Sequence, residues 1–187
     1  MKQPQKNKIQ SQLKCNFTLQ TSSSSNFQKK QIVTMFNKIS HRYDLLNHLL
    51  SFNLDIYWRK KAIQLLQNHC NHTILDIATG TGDLAFLAAK KLHYQKIFAC
   101  DIAENMLQKA KKKSLKNQIK NINFQYGDAE QLVFDNNYFN SVISAFGIRN
   151  FNHLPTCFTE MYRVLKKEGN LMLMEFSIPK KLSLIHI

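Results

Sequence analysis

The residues best suited to chemistry are three aspartates, each placed at or near the end of a short apolar run. Asp76 lies inside the first run, Asp101 directly follows the second, and Asp128 comes shortly after the third. If these runs are parallel strands, their carboxyl ends meet at the edge where open α/β sheets bind ligands. Three carboxylates around one crevice would repel a pyrophosphate, so they favour a cationic ligand.

A glycine loop separates the first apolar run from the helical stretch that follows it. Gly80 and Gly82 let the backbone turn tightly and approach a ligand without an intervening Cβ. The pattern Gly80-x-Gly82-x-x-Ala85 fits a dinucleotide fingerprint, and Asp101 is placed to accept both hydroxyls of a ribose. An NAD-dependent oxidoreductase fits the same pattern, but Asp76 favours an adenosyl sulfonium. A plain strand-to-helix turn without a ligand is the other alternative.

The apolar pattern predicts the elements that position these residues. Short apolar runs at 73–78, 96–100, 122–126, 141–146 and 171–176 are typical of strands, and helical spacing occurs at 83–92, 103–116 and 152–166. This alternation predicts a parallel sheet of the α/β class. The predicted organisation is a flexible basic arm at 1–26, a helical lid at 27–70 and an α/β core at 71–181.

The 187-residue chain carries a net charge of +14, from 26 Lys and Arg against 12 Asp and Glu. Such a charge favours nucleic acid or an anionic membrane surface as a partner, although a coding bias towards lysine gives the same count. No apolar run approaches the roughly 18 residues of a membrane span. Four scattered cysteines fit neither a zinc site nor a disulfide framework, so we predict a cytoplasmic protein without a metal. The acid-free arm also fits a transit peptide, although those favour arginine.

Three segments carry a resemblance to a known family. They are MFNKISHRYDLLN at 35–47, AFGIRN at 145–150, and MYRVLK at 161–166 followed by MEFS at 174–177. With the glycine loop, they make the chain similar to the class I S-adenosylmethionine methyltransferases. Within that class it resembles the quinone-ring C-methyltransferases of menaquinone and ubiquinone biosynthesis. The resemblance implies a Rossmann-like fold, with a parallel sheet, helices on both of its faces and an N-terminal helical lid.

The resemblance also implies a cofactor, a substrate and the residues that bind them. S-adenosylmethionine would donate a methyl group to a ring carbon of a reduced polyprenylated quinol, in the step from demethylmenaquinol to menaquinol. Arg149, at the substrate oxygen or phenolate, and Tyr43, in the lid, are the implied catalytic residues. The implied cofactor-binding residues are Asp76, Thr79, Gly80, Thr81, Gly82, Asp101 at the ribose, Ile102, and Asp128 and Ala129 at the adenine. Peripheral contact with the inner face of an anionic membrane is implied, and nucleic acid is not.

Each of the less specific residues has a structural alternative. Arg149 could form an ion pair with a nearby carboxylate, and Tyr43 could be a packed aromatic residue. We interpret the lysines between 109 and 120 as a solvated helix face, where cations also suit the helix dipole. We interpret the three candidate bases His41, His48 and His153 as solvated or core residues because no acid lies at a useful spacing.

The chain departs from the family pattern at several turns and at its end. Asn53 and Glu168 stand where relatives have glycine, Asn140 replaces an aspartate, and Ala145 replaces a cofactor-contacting serine. Residues 182–187 match nothing in the family, so we predict a non-native tail and the absence of the last strands, which leaves the fifth strand as an exposed apolar edge.

Three alternative functions stay open from the sequence. They are the ubiquinone-pathway methylation, a truncated non-catalytic remnant that binds the adenosyl group, and an RNA methyltransferase, which the net charge motivates.

Overall fold

The computed structural model describes residues 22–66, 73–91 and 96–176, and it opens with three helices. These are α1 (Ser22–Ile39), α2 (Tyr43–Leu50) and α3 (Leu54–Leu65), and together we call them the lid. Helix α1 begins within the predicted arm because a docked helix can extend through serines, whose helix propensity is only moderately unfavourable. The rest of the arm and the predicted tail lie outside the described residues.

Strands and helices alternate after the lid, as the apolar pattern predicts. The elements are β1 (Thr73–Ile77), α4 (Asp83–Lys91), β2 (Lys96–Asp101), α5 (Glu104–Lys116), β3 (Ile122–Tyr126), β4 (Phe139–Ala145), a 3₁₀ turn (Ile148–Asn150), α6 (Leu154–Val164) and β5 (Leu165–Met174). All pairings are parallel, in the order β3-β2-β1-β4-β5. The direction of winding reverses at β1, so a ligand crevice is expected between the carboxyl ends of β1 and β4.

Helices cover both faces of the sheet. Because neighbouring strand residues point to opposite sides, each strand contributes apolar side chains to two separate cores. On β1, Ile74 joins the core beneath α3, α4 and α5, whereas Leu75 joins the core beneath α6. Ile143 and Val142 on β4 divide in the same way, and all four side chains are fully buried. This arrangement confirms the predicted class I fold.

Strand β5 begins earlier than the predicted 171, directly after α6. Its register jumps from Phe139↔Leu165 to Ser141↔Asn170, so the chain makes an excursion at 166–169. Glu168 in this excursion has φ +64°, which explains why relatives place glycine there. Among the described strands, β5 pairs only with β4.

The lid is attached to the core by polar contacts and one deeply buried helix face. The backbone N–H of Asn105 donates to Asn37 Oδ1 over 3.0 Å, and Lys109 Nζ donates to the Ser40 carbonyl over 3.0 Å. Ile63 on α3 is fully buried in the core. Asn53 begins α3 at φ 61°, a conformation that Asn tolerates well, so the missing glycine there has little consequence.

Candidate functional site

A cavity lies at the carboxyl ends of the strands, where the winding of the sheet reverses. Its walls come from the loops after β1, β2, β3 and β4 and from the three lid helices. The predicted site residues that line it are Tyr43, Asp76, Thr79, Gly80, Thr81, Asp101, Ile102, Asp128 and Ala129. Gly82 and Arg149 are not among the lining residues. The three aspartates at the strand ends, Asp76, Asp101 and Asp128, therefore line one cavity.

The two loop glycines have different roles. Gly80 has φ +57° and faces open space, so the backbone is left bare towards the cavity. Gly82 has φ +86°, and a Cβ there would lie 2.9 Å from the Phe86 ring and 3.1 Å from the Phe124 ring. Gly82 therefore lets α4 approach the sheet, while Gly80 lets a ligand approach the loop.

Backbone hydrogen bonds fix the glycine loop against β2. Thr79 N donates to the Cys100 carbonyl over 3.0 Å. Asp101 accepts hydrogen bonds from Gly80 N over 2.7 Å and from Ala103 N over 2.8 Å. Burial raises the pKa of Asp101, although these N–H groups favour its charged form. Asp101 thus positions the loop as well as facing the cavity.

Asp76 is a buried carboxylate with one unused oxygen. It is 1% exposed, and its Oδ2 accepts a hydrogen bond from Thr79 Oγ1 over 2.6 Å. Its Oδ1 has no hydrogen-bond partner within the described part of the chain. Burial raises the pKa of Asp76 to about 7, and the charge of Asp101 adds to the rise, while the Thr79 hydroxyl, the charge of Arg59 and the nearby backbone N–H of Ala85 oppose it. A buried acceptor in the cavity wall is suited to a cationic donor on a ligand.

Strained backbone flanks the cavity at equivalent positions after β1 and β4. Ala78 has φ 55° and Phe146 has φ 60°, and both line the cavity. A bulky residue at positive φ is unusual and often marks a functional site. Nothing in the sequence signals this, because neither residue type favours the conformation. Phe146 stacks on Phe176 at 4.6 Å, and Trp58 contacts Phe176 at 5.6 Å.

Lys29 of α1 reaches across the cavity to the loop after β3. Its ammonium forms an ion pair with Asp128 and lies 3.4 Å from Glu130 Oε2. Partial burial lowers the pKa of Lys29, but the hydrogen bond and the charge of Asp128 outweigh it and leave the pKa raised. The sequence identified Asp128 but not Lys29, since residues so far apart along the chain give no local signal.

A second set of ion pairs joins α2 to the core and corrects the interpretation of the lysine face. Asp44 accepts a hydrogen bond from Thr81 and lies 3.0 Å from Lys109 Nζ and 3.3 Å from Lys113 Nζ. Lys113 also lies 2.6 Å from Asp83. Burial raises the pKa of Asp44, but its hydrogen bonds and the lysine charges outweigh it, so the pKa is lowered. These two lysines therefore face the lid, because α2 brings a carboxylate to them.

The prediction that no acid partners His48 is wrong. His48 Nδ1 lies 3.0 Å from Asp55, which also accepts a hydrogen bond from Ser51 over 2.7 Å and pairs with Arg59. The tight turn between α2 and α3 brings His48 and Asp55 together, although they are separated along the chain. Arg59 lines the cavity with its guanidinium 5.2 Å from the Phe146 ring centre. The sequence analysis did not identify Arg59 as a site residue.

Arg149 lies beside the cavity and takes part in the ion pair that the sequence analysis left open. Its Nη1 lies 2.8 Å from Glu175 Oε1, and its guanidinium lies 5.3 Å from the Phe176 ring centre. Its neighbours Gly147 and Asn150 line the cavity. Tyr43 does face the cavity, where its ring meets Phe36 edge-on at 5.9 Å. Of the two predicted catalytic residues, Tyr43 therefore lines the cavity, whereas Arg149 lies outside its lining.

Residues 22–66, 73–91 and 96–176 lack two further features. They contain no cluster of three or more His, Cys, Asp or Glu side chains suited to a metal ion. They also contain no helix both long and apolar enough to span a bilayer.

Curated relatives are similar to this chain over most of its length. The demethylmenaquinone methyltransferase of Bacteroides fragilis is 40% identical over 163 residues, which cover 85% of this chain and 65% of the relative. The ubiquinone/menaquinone biosynthesis C-methyltransferase of Geotalea daltonii is 38% identical, covering 84% of this chain and 68% of the relative. The chain therefore spans less than two thirds of the length of the first of these relatives.

Solved structures and a family model agree with these relatives. A structure described as a candidate methyltransferase from Bacillus halodurans matches with a TM-score of 0.61 and 31% identity, over 67% of this chain and 53% of the other. The model of the ubiE/COQ5 methyltransferase family matches residues 24–186, so the expectation that residues 182–187 match nothing in the family is wrong for 182–186. Family and fold together confirm the predicted methyltransferase family and the Rossmann-like fold. The chain belongs to the ubiE/COQ5 methyltransferase family.

Proposed function

We propose that this chain is an S-adenosylmethionine-dependent methyltransferase that methylates a ring carbon of a reduced polyprenylated quinol, converting demethylmenaquinol to menaquinol. The observation that carries the proposal is that the buried carboxylate of Asp76 lines one cavity together with Asp101 and Asp128. The name of the Bacteroides fragilis relative supports the menaquinone substrate.

The residues present fit an adenosyl sulfonium. Asp76 offers a buried acceptor to the ammonium and sulfonium end, and Gly80 leaves open space beside the loop. Asp101 is the proposed ribose acceptor, and Asp128 is the proposed acceptor for the adenine amine. Three further lining residues, Thr79, Thr81 and Ile102, and the buried Ala129 complete the proposed cofactor wall. Gly82 is proposed to act through helix packing, because it does not line the cavity.

The reaction is an in-line displacement, so the protein acts mainly by positioning its reactants. When bound, the cofactor supplies an electrophilic methyl group, which the ring carbon takes as the sulfonium leaves as a neutral thioether and the ring loses its proton. The aromatic cluster of Trp58, Phe146 and Phe176 offers flat surfaces to a quinol ring. Arg149, beside Phe176, is proposed to stabilise the phenolate, and Tyr43 to orient the ring from the lid.

The ubiquinone pathway is the second candidate function. The Geotalea daltonii relative is named for both pathways, and quinol rings of the two pathways could both contact the aromatic cluster. Assays with demethylmenaquinol and with the ubiquinone precursor in parallel distinguish the two candidates. We expect faster transfer to demethylmenaquinol, and faster transfer to the ubiquinone precursor would reverse the assignment.

A transfer assay tests the proposed function. The protein is incubated with methyl-labelled S-adenosylmethionine and a reduced demethylmenaquinone analogue, and label is sought in the ring. Asp101→Ala serves as the matched negative variant, since it removes the proposed ribose acceptor. Bound cofactor without transfer would indicate a non-catalytic remnant, and label in RNA would indicate an RNA methyltransferase. Absence of cofactor binding would contradict all three functions.

The membrane partner is proposed from the surface of the lid. Exposed apolar side chains cluster at the end of α2 and the start of α3, and we call them the apolar tip: Leu45, Leu49, Leu50, Phe52 and Leu54. Phe52 is 86% exposed. Lys60 and Lys61 follow on α3 and are also exposed, which suits an anionic lipid surface.

Vesicle binding tests the membrane contact. The double substitution Leu50→Asp with Phe52→Asp should lower binding to anionic vesicles by at least about tenfold, because two apolar side chains are lost. Leu115→Asp is the matched control, since Leu115 is 80% exposed on α5, away from the apolar tip. Equal losses for the two variants would contradict this surface.

A further inference from the structure

Arg59 is a buried cation whose hydrogen-bonding capacity is mostly unused. Its side chain lines the cavity although the residue is only 8% exposed. Within the described ranges, its hydrogen bond runs from Nη1 to Asp55, whereas a guanidinium carries five N–H donors. The remaining donors are therefore available to a ligand in the cavity.

Asp55 fixes the position of the Arg59 guanidinium and is itself held by two other side chains. The Asp55 carboxylate is also hydrogen-bonded by Ser51 over 2.7 Å and contacted by His48 Nδ1 at 3.0 Å. The Phe146 ring supports the guanidinium from another side at 5.2 Å. The cation is thus fixed at the cavity wall before any ligand arrives, which reduces the entropy lost on binding.

The charges that line the cavity are divided between its two ends. Lys29 is occupied by Asp128 and Glu130 at the end beside β3. Arg59 lies at the end beside β1, close enough for its charge to lower the pKa of Asp76, although no ion pair joins the two side chains. This end therefore presents cationic donors beside a buried carboxylate, which together match a zwitterion.

We propose that Arg59 binds the carboxylate of the amino-acid portion of S-adenosylmethionine, while Asp76 Oδ1 accepts the neighbouring ammonium. The inference rests on the proposed function and adds a specificity-determining contact to it. An amino-acid end is the part of the cofactor that carries both charges, and guanidinium groups bind carboxylates with well-defined geometry. Arg59 would thus select ligands that carry the amino acid over adenosine derivatives that lack it.

The test compares two ligands that differ in the amino-acid end. S-adenosylhomocysteine contains that end, and 5′-methylthioadenosine has the same adenosine and thioether without it. Calorimetry on the full chain should show that Arg59→Gln weakens S-adenosylhomocysteine binding by about 10- to 100-fold. The same substitution should change 5′-methylthioadenosine binding by less than about threefold, and Arg59→Lys should restore part of the lost affinity.

A control variant and a stability measurement separate the proposal from a purely structural role. Lys29→Gln changes the other cation that lines the cavity, so it should alter the affinities for both ligands by the same factor. Thermal unfolding of each variant establishes that it is folded. Equal losses for both ligands in Arg59→Gln would overturn the proposal, as would unchanged S-adenosylhomocysteine affinity together with a raised KM for the quinol. Wild-type protein that binds neither ligand would overturn the proposed function as well.

Discussion

The two halves of the cavity are built by different kinds of interaction. In the core half, backbone geometry does the positioning: Gly80 N donates to Asp101, and Ala78 and Phe146 hold positive φ angles at the strand ends. In the lid half, ion pairs between side chains position the cavity wall, for example the pair between Lys29 and Asp128. The same cavity thus has one wall fixed by the sheet and one wall attached by charge.

This difference predicts different responses to solvent. Hydrogen bonds of buried backbone groups are little affected by salt, whereas ion pairs near the surface weaken as ionic strength rises. The lid ion pairs are partly exposed, with about a quarter of the Lys109, Lys113 and Lys29 side chains accessible. The core wall should therefore be preorganised, and the lid wall adjustable.

The largest expected effect concerns the pH dependence of the core half. In the folded chain the pKa of Asp76 is raised from 3.8 to about 7. Between these pH values the unfolded chain loses this proton and the folded chain keeps it, so the free energy of unfolding falls as pH rises, by up to about 4 kcal/mol. Asp76→Asn should reduce this fall in urea titrations at pH 4 to 8, and the raised pKa of Asp101 should account for part of what remains. Asp135→Asn, at an exposed position, should retain it, and an unchanged fall in Asp76→Asn would refute the assignment.

A glycine pair tests the packing of the core half. Gly82→Ala should lower the free energy of unfolding by about 3 kcal/mol, because its Cβ would clash with Phe86 and its φ is positive. Gly80→Ala should cost only about 1 kcal/mol, because its Cβ meets open space. Gly80→Ala should instead weaken cofactor binding, as measured by calorimetry. Similar unfolding free energies for both variants would mean that the loop relaxes.

Asp44→Asn tests the lid half. The substitution weakens two ion pairs with the lysines of α5, so the free energy of unfolding should fall by about 1 kcal/mol at low salt. The difference from wild type should shrink in 0.5 M salt, measured by chemical unfolding, because the pairs are screened at about that concentration. A salt-independent loss would instead point to the hydrogen bond with Thr81.

The smallest expected effect on stability lies at the boundary between the halves. Arg149→Ala should change the free energy of unfolding by less than about 0.5 kcal/mol, because its ion pair with Glu175 is exposed. Turnover should fall at least about tenfold if the side chain stabilises the phenolate, while cofactor affinity stays constant. Lost cofactor affinity with normal turnover would refute the proposed role.

The core half could be predicted from the sequence because its signals are local. Short apolar runs indicate the strands, and the pair Gly80 and Gly82 between a strand and a helix indicates the loop. The aspartates then meet because parallel strands end at one edge. The helices of the lid half could be predicted, but its ion pairs could not, since Lys29, His48 and Arg59 acquire their partners only when the helices fold back. The positive φ of Phe146 could not be predicted either, because it comes from tertiary packing.

Lys29 of α1 binds the loop after β3 at the place where the proposed cofactor would bind. Its ammonium already occupies Asp128, the proposed acceptor for the adenine amine, so an incoming nucleoside must exchange places with a tethered group. Glu130 Oε2 lies 3.4 Å from the same ammonium and offers Lys29 a second carboxylate. The affinity for an adenosyl ligand would then include the free energy of displacing Lys29 from Asp128, which would tie loading of the site to the position of α1.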